Sequence, residues 1–449
     1  MKKGEIYEGT VERIEFPNKG VVVIDGEKAI VKNALPGQKI RFRINKKRGG
    51  RCEGMLLEVV EHSKLETAED VCPHFGICGG CLYQPIPYEE QLAIKEKQVR
   101  SLLDAVCPEY EFEGILGSPL VQGYRNKMEF SFGDEVKDGP MSLGMHKRGS
   151  FYDVVTTGEC HIVHPDFCKI LVCTKEYFEE KKVGFYKKMQ HTGYLRHLLV
   201  RRAIKTGEIL VDLITTTQTD TFEGTEEALL RGWTERLQAL PMEGSFAGIL
   251  HTKNDTLADA VKDEGTDILF GREHFYEELL GLRFQISPFS FFQTNSLGAE
   301  VLYETYAKTI NIEALTMVDM ANKQIIPAVM KYSKSLADAV IAITEAGGDT
   351  YVPTRMLQQI TQKLTEMEKA SEALLEVEKK ASAMERGKEQ AFCYHDEVMV
   401  AMNALRKPAD ELEKIEEAGK AEEAKYTEAT TNIEATRHMP DLTAEASAA

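Results

Sequence analysis

The sequence predicts a multidomain protein with an N-terminal OB-like β-barrel, a central α+β domain and a C-terminal all-α helical hairpin. Two observations predict this order. Short alternating strands fill the beginning of the chain, and strand-like runs give way near residue 312 to segments rich in Ala, Glu, Lys and Met. A chain of 449 residues is long enough for about three domains, each with its own core.

Residues 1–62 contain five short strand-like runs, separated by turn signals such as "PNKG", "DGE" and "LPGQ". Five short strands within so few residues are typical of a small closed barrel of the OB type. Barrels of this type often bind single-stranded nucleic acid, although many have other uses. Residues 1–62 are therefore predicted to form a barrel with a candidate RNA-binding surface.

Residues 63–285 mix β-rich runs with loops and a few helical segments, which predicts an α+β domain with a largely antiparallel sheet. The run "YEEQLAIKEKQVRSLLDAV" has helical periodicity and places Leu92, Val99, Leu102 and Leu103 on one stripe. A further helix is predicted near "GTEEALLRGWTERLQAL".

Residues 312–418 are predicted to form two long amphipathic helices joined by a polar break, and residues 419–449 are predicted to be disordered. Both helices carry apolar residues at three- and four-residue steps, which is typical of packing surfaces. The two stripes comprise Met356, Ile360, Leu364, Met367 and Leu374, and then Val398, Met402, Leu405, Leu412 and Ile415.

The formal net charge of -17 speaks against a protein that coats nucleic acid indiscriminately, but basic residues cluster locally. The run "KIRFRINKKRGGR" carries seven Lys or Arg and no acid. It is either a phosphate-binding patch or a solvated strand edge kept basic against aggregation. The predicted RNA-binding residues are Arg41, Arg43, Lys46, Lys47, Arg48, Arg125 and Lys127, with Arg201 and Arg202 as further candidates.

The N-terminus lacks the apolar stretch of a signal peptide, and no apolar run is long enough to cross a bilayer. These features predict a cytoplasmic protein without a membrane partner. Nine unevenly spaced cysteines in such a chain favour metal binding or free thiols over disulfides.

Cys72, Cys78 and Cys81 form a C-x5-C-x2-C pattern in "CPHFGICGGC". The paired glycines between the last two cysteines permit a tight turn and leave backbone N–H groups free to face the sulfurs. A fourth ligand is available among Cys160, Cys168 and Cys173. Four cysteines fit either zinc or an iron–sulfur cluster. Zinc sites usually have two C-x2-C pairs, whereas this sequence has one such pair, Cys78 and Cys81, with Cys72 before it and a distant fourth cysteine, which favours the cluster.

The segment "CPHFGICGGCLYQPIPYEEQLAIKEKQV" closely resembles the cluster-binding segment of bacterial RNA (uracil-5-)-methyltransferases that modify large-subunit ribosomal RNA. The N-terminal barrel resembles the RNA-binding TRAM domain of that family, and "YRNKMEFSFG", "GECHIVHPDF" and "ISPFSFFQTNS" resemble its later segments. The resemblance covers residues 1–311. It implies a structured, ribosomal RNA partner, a [4Fe–4S] cluster and S-adenosylmethionine. The implied site residues are Cys72, Cys78, Cys81 and Cys160 for the cluster and Gln293 for S-adenosylmethionine.

In that family a cysteine thiolate adds to C6 of uracil, and the methyl donor lies against a glycine-rich turn. No such turn and no nucleophilic cysteine segment follow "FFQTNSLGAEVLYETYAKTI". Residues 286–311 are therefore interpreted as the truncated beginning of a catalytic domain, and no complete Rossmann-like methyltransferase domain is predicted. Cys393, in "QAFCYHDEV", is predicted to lie in a helix core, so no catalytic residue is assigned.

Residues 311–415 resemble the C-terminal helical region of type III glutamine synthetases, on the segments "NIEALTMVDMANKQIIPAVMKYSKSLADAV" and "AFCYHDEVMVAMNALRKPADELEK". In those enzymes the substrate-binding residues lie upstream of this region. No synthetase site residue is therefore transferred to this chain.

The resemblances predict a chain derived from an S-adenosylmethionine-dependent uracil methyltransferase of ribosomal RNA that is itself inactive. The alternative is a non-catalytic iron–sulfur RNA-binding module with a helical oligomerisation tail. Phe289, Phe291 and Phe292 are expected to be partly exposed, because the catalytic sheet that would cover them is missing.

Overall fold

The computed structural model describes residues 1–107, 109–257, 264–385 and 388–415. The chain divides into two compact units, Met1–Val301 and Leu302–Ala449. We refer to them as the N-terminal unit and the helical unit. The predicted disordered tail at 419–449 lies outside the described residues.

Five strands at the start of the N-terminal unit form a closed barrel in the order β1-β2-β3-β5-β4. The barrel core is formed by alternate residues of each strand, such as Ile40, Phe42 and Ile44, which are at most 1% exposed. The predicted five-stranded barrel is therefore confirmed. Its strands are β1 (Ile6–Glu15), β2 (Lys19–Ile24), β3 (Glu27–Lys32), β4 (Lys39–Arg48) and β5 (Arg51–Glu61).

Strand β4 carries most of the basic run, and it pairs with β1 on one side and β5 on the other. The pairing with β1 covers Lys39 to Arg43, whereas from Ile44 to Arg48 the strand pairs with β5. The predicted alternative, a strand edge kept basic against aggregation, therefore does not apply to Arg41 and Arg43, and it stays a prediction for Lys46, Lys47 and Arg48.

A seven-stranded sheet forms the centre of the N-terminal unit, in the order β12-β11-β10-β9-β6-β7-β8. Neighbouring strands are antiparallel except for the parallel pair β10–β11, so the predicted largely antiparallel sheet is confirmed. The strands are β6 (Lys127–Asp134), β7 (Met141–His146), β8 (Val154–Thr156), β9 (Leu195–Arg202), β10 (Glu208–Thr215), β11 (Ser245–Lys253) and β12 (Thr266–Gly271). A separate hairpin follows, with β13 (Phe275–Leu279) and β14 (Leu282–Ile286).

Three helices accompany this sheet and barrel: α1 (Tyr88–Leu103), α2 (Pro165–Glu180) and α3 (Glu226–Gln238). Helices α2 and α3 share the main apolar core with the sheet, where Phe178 and Trp233 are fully buried. The Trp233 indole N–H donates to Thr174 Oγ1 at 3.1 Å, so the buried polar atom is satisfied. The helix predicted near residues 224–240 is confirmed.

Helix α1 is confirmed as a helix, but its predicted apolar stripe is wrong. Its buried residues are Ile94 and Gln98, and Ile94 belongs to the core of the barrel. The periodicity of the sequence identified the helix face that carries most leucines. Contact with the barrel buries a different face, the one that carries Ile94 and Gln98. Val99, Leu102 and Leu103, which were predicted to share one apolar stripe, are 40%, 51% and 37% exposed.

The helical unit is larger than the predicted hairpin. It shares α4 (Ser296–Met320) with the N-terminal unit and contains α5 (Ile326–Glu345), α6 (Tyr351–Ser382), α7 (Lys388–Cys393) and a helix α8 at 399–415. Two π-helical turns, Ala321–Ile325 and Tyr394–Val398, interrupt this order. Both predicted stripes are confirmed in its core, where Ile360, Met367, Leu374, Val398, Leu405 and Leu412 are buried.

Helix α4 begins before the predicted boundary at residue 312 and runs through it. Its start is capped by Asn295, whose Oδ1 accepts from the N–H of Gly298 at 2.8 Å. The compositional change near residue 312 therefore lies within a helix and does not mark the division of the chain, which falls after Val301.

Across the described ranges, no helix combines the length and apolar character that a membrane span requires.

Helix α3 offers a simple test of local stability. Thr225 caps it, and its Oγ1 accepts from the N–H of Ala228 at 3.3 Å. We expect Thr225→Ala to lower the free energy of unfolding by about 1 kcal/mol, because one N–H of the first turn loses its partner. Urea denaturation measures the change. Thr225→Ser keeps the hydroxyl and is the control; an equal loss in both variants would contradict the capping role.

Candidate functional site

The cysteine loop is a compact turn whose backbone bonds place three sulfurs close together. The N–H of Phe75 donates to Cys72 O at 2.9 Å, and the N–H of Cys78 donates to His74 O at 2.9 Å. Between them Gly76 has a φ of +86°, a left-handed conformation that a side chain would strain. The turn therefore depends on Gly76, which lies outside the predicted glycine pair.

Gly79 and Gly80 were predicted to permit a tight turn, but neither has a positive φ. A Cβ at Gly79 would lie 3.3 Å from the carbonyl oxygen of His146, and the N–H of Gly79 donates to that oxygen at 3.1 Å. The N–H of Gly80 faces Cys78 Sγ at 3.3 Å, which agrees with the prediction that backbone N–H groups face the sulfurs. Close approach to the strand at His146 explains the first glycine.

A second segment brings the fourth cysteine to the loop. Cys160 lies shortly before α2. Two residues later, the carbonyl oxygen of Ile162 accepts from the backbone N–H of Arg125 at 2.9 Å. On the other side of the loop, Cys72 Sγ lies 3.7 Å from the carbonyl oxygen of Glu159. Residues separated by nearly ninety positions in the chain thus meet at one place.

The four predicted ligands line one cavity of about 140 Å³. Gln84 also lines it, and its Nε2 lies 3.6 Å from Cys81 Sγ. Among the alternatives for the fourth ligand, Cys168 does not line this cavity, although its Sγ lies 3.9 Å from the carbonyl oxygen of Cys160. The lining cysteines are Cys72, Cys78, Cys81 and Cys160.

Burial disfavours the thiolate form of these sulfurs when no metal is bound. It raises the pKa of Cys81 to about 11 and that of Cys160 to about 12. Burial also raises the pKa of Cys78, where the N–H of Gly80 and the charge of Arg148 act in the opposite direction. A bound metal would reverse this balance, because it ligates and stabilises thiolates.

The donor set fits a cluster with one thiolate for each of four irons. The backbone N–H of Gly80 and the side-chain amide of Gln84 face two of the sulfurs. Over residues 1–107, 109–257, 264–385 and 388–415, no group of three or more His, Cys, Asp or Glu side chains is arranged to hold a metal ion.

The predicted RNA-binding residues of β4 differ in their surroundings. Arg41 pairs with Glu58 at 2.7 Å and with Glu8 at 3.5 Å. Lys46 and Lys47 also face carboxylates, those of Glu53 at 3.7 Å and Glu27 at 3.0 Å. Arg43 and Arg48 are exposed and form no ion pair with other described residues. The cations of this run are therefore largely compensated by acids from neighbouring strands.

Arg125 and Lys127 lie beside the cysteine cavity and the central sheet. Arg125 lines the cavity, and its Nε donates to the carbonyl oxygen of Lys127 at 2.9 Å. Lys127 is half-buried at the start of β6, where burial and the nearby charge of Arg201 lower its pKa. Their role in RNA binding remains a prediction.

Arg201 and Arg202 are buried and hydrogen-bonded to other groups of the N-terminal unit. Arg201 is 2% exposed and donates to the carbonyl oxygens of Pro288 and Ser290, and burial lowers its pKa to about 10. Arg202 is 7% exposed, and its Nε donates to Asp166 Oδ2 at 3.0 Å. Buried guanidinium groups with these partners hold the fold together and are not placed to contact phosphates.

Gln293 lies in an extended segment just before α4. Its carbonyl oxygen accepts from Asn126 Nδ2 at 2.7 Å, and the same amide donates to Ser296 Oγ at 2.9 Å. Ser296 Oγ in turn donates to the buried carboxylate of Glu277 at 2.8 Å. This network holds the Gln293 backbone, and the Gln293 side chain is half-buried. Its contact with S-adenosylmethionine remains a prediction.

The three aromatic side chains near Gln293 are partly exposed, as expected. Phe291 is 87% exposed and Phe289 is 39% exposed. Phe292 packs against a small core beside Phe284, with the ring centroids 5.6 Å apart. Cys393 is 4% exposed within the core of the helical unit, which confirms its predicted place.

Sequence reasoning missed several residues around the cysteine loop and barrel. Gln84 and Phe75 lie in or near the quoted motif, but only the sulfurs had been assigned a role there. Lys19 and Lys32 are isolated cations in short strands, and no local pattern marks them. Only the barrel topology places them beside the cysteine loop.

Comparisons with known proteins find two different similarities in this chain, one to glutamine synthetases and one to RNA methyltransferases. The glutamine synthetase C-terminal domain family model matches residues 293–344, so its match begins earlier than the predicted boundary. A protein named as an uncharacterized RNA methyltransferase from Clostridium acetobutylicum is 48% identical over 304 residues, which is 68% of this chain and 65% of the relative. One of the same name from Caldanaerobacter subterraneus is 45% identical over 306 residues, which is 68% of this chain and 66% of the relative.

The match thus covers slightly less than two-thirds of the length of these curated relatives. Among solved structures, a tRNA (uracil-54, C5)-methyltransferase from Pyrococcus abyssi in complex with S-adenosyl-L-homocysteine matches with a TM-score of 0.49 and 24% identity. That match covers 67% of this chain and 64% of the other.

Proposed function

We propose that the N-terminal unit is the RNA-recognition part of an S-adenosylmethionine-dependent RNA (uracil-C5) methyltransferase, and that this chain binds structured RNA without transferring a methyl group. The similarity to RNA methyltransferases at 48% and 45% identity is the observation that carries the proposal. The barrel and the cavity lined by four cysteines lie within the similar part.

The proposal includes a [4Fe–4S] cluster at Cys72, Cys78, Cys81 and Cys160. Each iron of such a cluster takes one thiolate, so the four sulfurs stand around a cavity and need not converge on one point. When bound, the cluster would fasten the loop at Cys72–Cys81 to the segment before α2. The surrounding N–H groups of Gly80 and Gln84 would offset part of the thiolate charge.

The proposed lack of methyl transfer rests on the helical unit. A nucleophilic thiol must reach its substrate and be activated by a neighbouring base. Cys393, the cysteine of the helical unit, is 4% exposed among apolar side chains. Burial raises the pKa of its thiol, which is unsuited to attack. Gln293 is proposed as a contact to S-adenosylmethionine by resemblance.

The ancestral target is proposed to be large-subunit ribosomal RNA. A helix-mediated self-association is proposed as a second property of the chain. Its support is the exposure of apolar side chains in α5, where Met330 is 60% exposed and Ile341 is 58% exposed.

RNA binding and methyl transfer can be measured on the same sample. We expect the full chain to bind fragments of large-subunit ribosomal RNA with an affinity that falls steeply as salt rises, because phosphate contacts release counterions. We also expect no incorporation of label from S-adenosylmethionine. Filter binding at several salt concentrations and a scintillation assay measure the two quantities. A flat salt response would contradict the binding, and incorporation above background would contradict the lack of activity.

A further inference from the structure

A solvent-open groove of about 1090 Å³ lies in the N-terminal unit, between the barrel and the cysteine loop. Strands β2, β3 and β5 contribute one wall, and Phe75, Gly76, Arg148 and Gly149 contribute the other. The groove does not include Arg41 or the other predicted RNA-binding residues of β4. It shares only Asn45 and Arg51 with the basic run of residues 39–51.

Three cations on the barrel wall are free to bind an anion. Lys19, Lys32 and Arg51 line the groove, and all three are exposed. None of them forms an ion pair or a side-chain hydrogen bond with another residue in the described part of the chain. Unpaired, solvated cations along one groove attract a polyanion at little desolvation cost.

Two of the three acids of the same wall are already paired with cations that do not line the groove. Glu58 faces Arg41 at 2.7 Å, and Glu53 faces Lys46 at 3.7 Å. Glu66, at one end, accepts from Gln38 Nε2 at 2.9 Å and from the N–H of Ser63 at 2.7 Å. These donors are neutral, so Glu66 keeps its negative charge. Lys19, Lys32 and Arg51 outnumber this one carboxylate, and the groove presents a net positive field despite the acidic composition of the chain.

The opposite wall is rigid because Arg148 ties it to the cysteine loop. The Arg148 guanidinium lies 5.4 Å from the ring centroid of Phe75 and donates to the carbonyl oxygen of Cys81. The backbone N–H of Arg148 donates to Ile77 O at 2.7 Å. The same contacts that shape the cysteine loop thus hold this wall of the groove.

An aromatic side chain projects from the turn that carries Arg148. Phe151 lies two residues after Gly149 and is 85% exposed. Ser150 Oγ accepts from the N–H of Asp153 at 3.1 Å and from that of Tyr152 at 3.2 Å, which orders the turn. A solvated phenyl ring on an ordered turn is suited to stacking with a nucleobase.

We propose that a single-stranded RNA segment binds in this groove, with phosphates at Lys19, Lys32 and Arg51 and an unpaired base stacked on Phe151. The inference deepens the proposed RNA-binding function, on which it rests. A duplex is excluded as the preferred ligand, because its bases are paired and not available to an aromatic side chain.

The cations are tested with a labelled oligouridylate of about 12 nucleotides, within the range that one OB fold binds. We expect Lys32→Gln combined with Arg51→Gln to reduce the slope of log affinity against log salt by about 0.7 for each removed cation. The control is Lys331→Gln with Lys334→Gln, two exposed lysines of the helical unit with the same change in net charge. An equal effect of both pairs would overturn the proposal.

The aromatic contact is tested with the same probe and with a blunt duplex of equal length. We expect Phe151→Ala to weaken binding of the single strand between about 5-fold and about 150-fold, while weak duplex binding stays unchanged. Tyr351→Ala, which removes a 66% exposed ring of the helical unit, is the control. Loss of single-strand and duplex binding in equal measure would overturn the stacking contact.

Three outcomes separate this inference from the function on which it rests. If the wild-type chain binds no RNA, both fail. If it binds RNA and neither groove variant differs from its control, the groove proposal fails and the proposed function stands. If the chain dimerises in light scattering and Lys32→Gln with Arg51→Gln abolishes the dimer, a second copy occupies the groove and the proposal is overturned.

Discussion

Asp166→Asn is expected to lower the free energy of unfolding of the N-terminal unit by about 3 kcal/mol, since the buried Arg202 guanidinium loses its nearer carboxylate and keeps only that of Glu243 at 4.0 Å. The Asp166 carboxylate is 1% exposed at the start of α2. It accepts from Arg202 Nε at 3.0 Å and from the N–H groups of Glu243 and Gly244 at 3.1 and 2.9 Å. One side chain thus joins α2, β9 and the loop before β11.

Urea denaturation followed by the fluorescence of Trp233, the single tryptophan of the sequence, measures this loss. Asp138→Asn is the matched control, because it makes the same chemical change in an exposed pair with Lys187 at 3.0 Å. We expect the control to unfold at the wild-type urea concentration. Equal shifts in both variants would show that burial of Asp166 is not the cause.

The same carboxylate predicts a dependence on pH. Burial alone would raise the pKa of Asp166, but the N–H groups of Glu243 and Gly244 and the Arg202 guanidinium outweigh it, so the pKa is lowered. A lowered folded-state pKa contributes stability above the ordinary aspartate value of about 4, which is lost as pH falls towards the folded-state value. The difference between wild type and Asp166→Asn should therefore shrink below about pH 4.

Cys160→Ala is expected to abolish the iron–sulfur cluster. Anaerobic reconstitution of the wild-type chain with iron and sulfide should give about four irons for each chain. The variant should give close to none, because it removes the only proposed ligand outside the loop at Cys72–Cys81 and the cavity loses one side. Iron analysis and visible absorbance measure the loss.

Cys168→Ala is the matched control for this experiment. Its Sγ lies 3.9 Å from the carbonyl oxygen of Cys160 but does not line the cavity. We expect this variant to retain about four irons. Equal iron loss in both variants would contradict the assignment of the fourth ligand, and stoichiometric zinc in the protein as isolated would contradict the cluster itself.

Loss of the cluster also bears on the groove, because Arg148 links the two. Its guanidinium contacts the carbonyl oxygen of Cys81 and the ring of Phe75, which lines both the cavity and the groove. The cysteine loop therefore supports one wall of the proposed RNA-binding groove. If the proposed cluster is bound, this arrangement would give it a structural role in the proposed RNA-binding unit.

Local patterns predicted much of this protein correctly. Alternation along β4 predicted the barrel, because a strand with one buried face places every second residue inside. Steps of three and four residues predicted the buried positions Ile360, Met367 and Leu374 of α6. The spacing of Cys72, Cys78 and Cys81 predicted that the three residues lie together, and they line one cavity, while their role as metal ligands stays a prediction. In each case the signal lies within one element, so the sequence alone contains it.

The tertiary structure decided what depends on contacts between distant segments. It placed Ile94, and not the leucine stripe, against the barrel. It buried Arg201 and Arg202, paired Arg41, Lys46 and Lys47 of β4 with acids and left Lys19 and Lys32 exposed along the groove beside the cysteine loop. Burial and charge compensation are set by neighbours in space, and no periodicity within a segment records which neighbours the fold will bring.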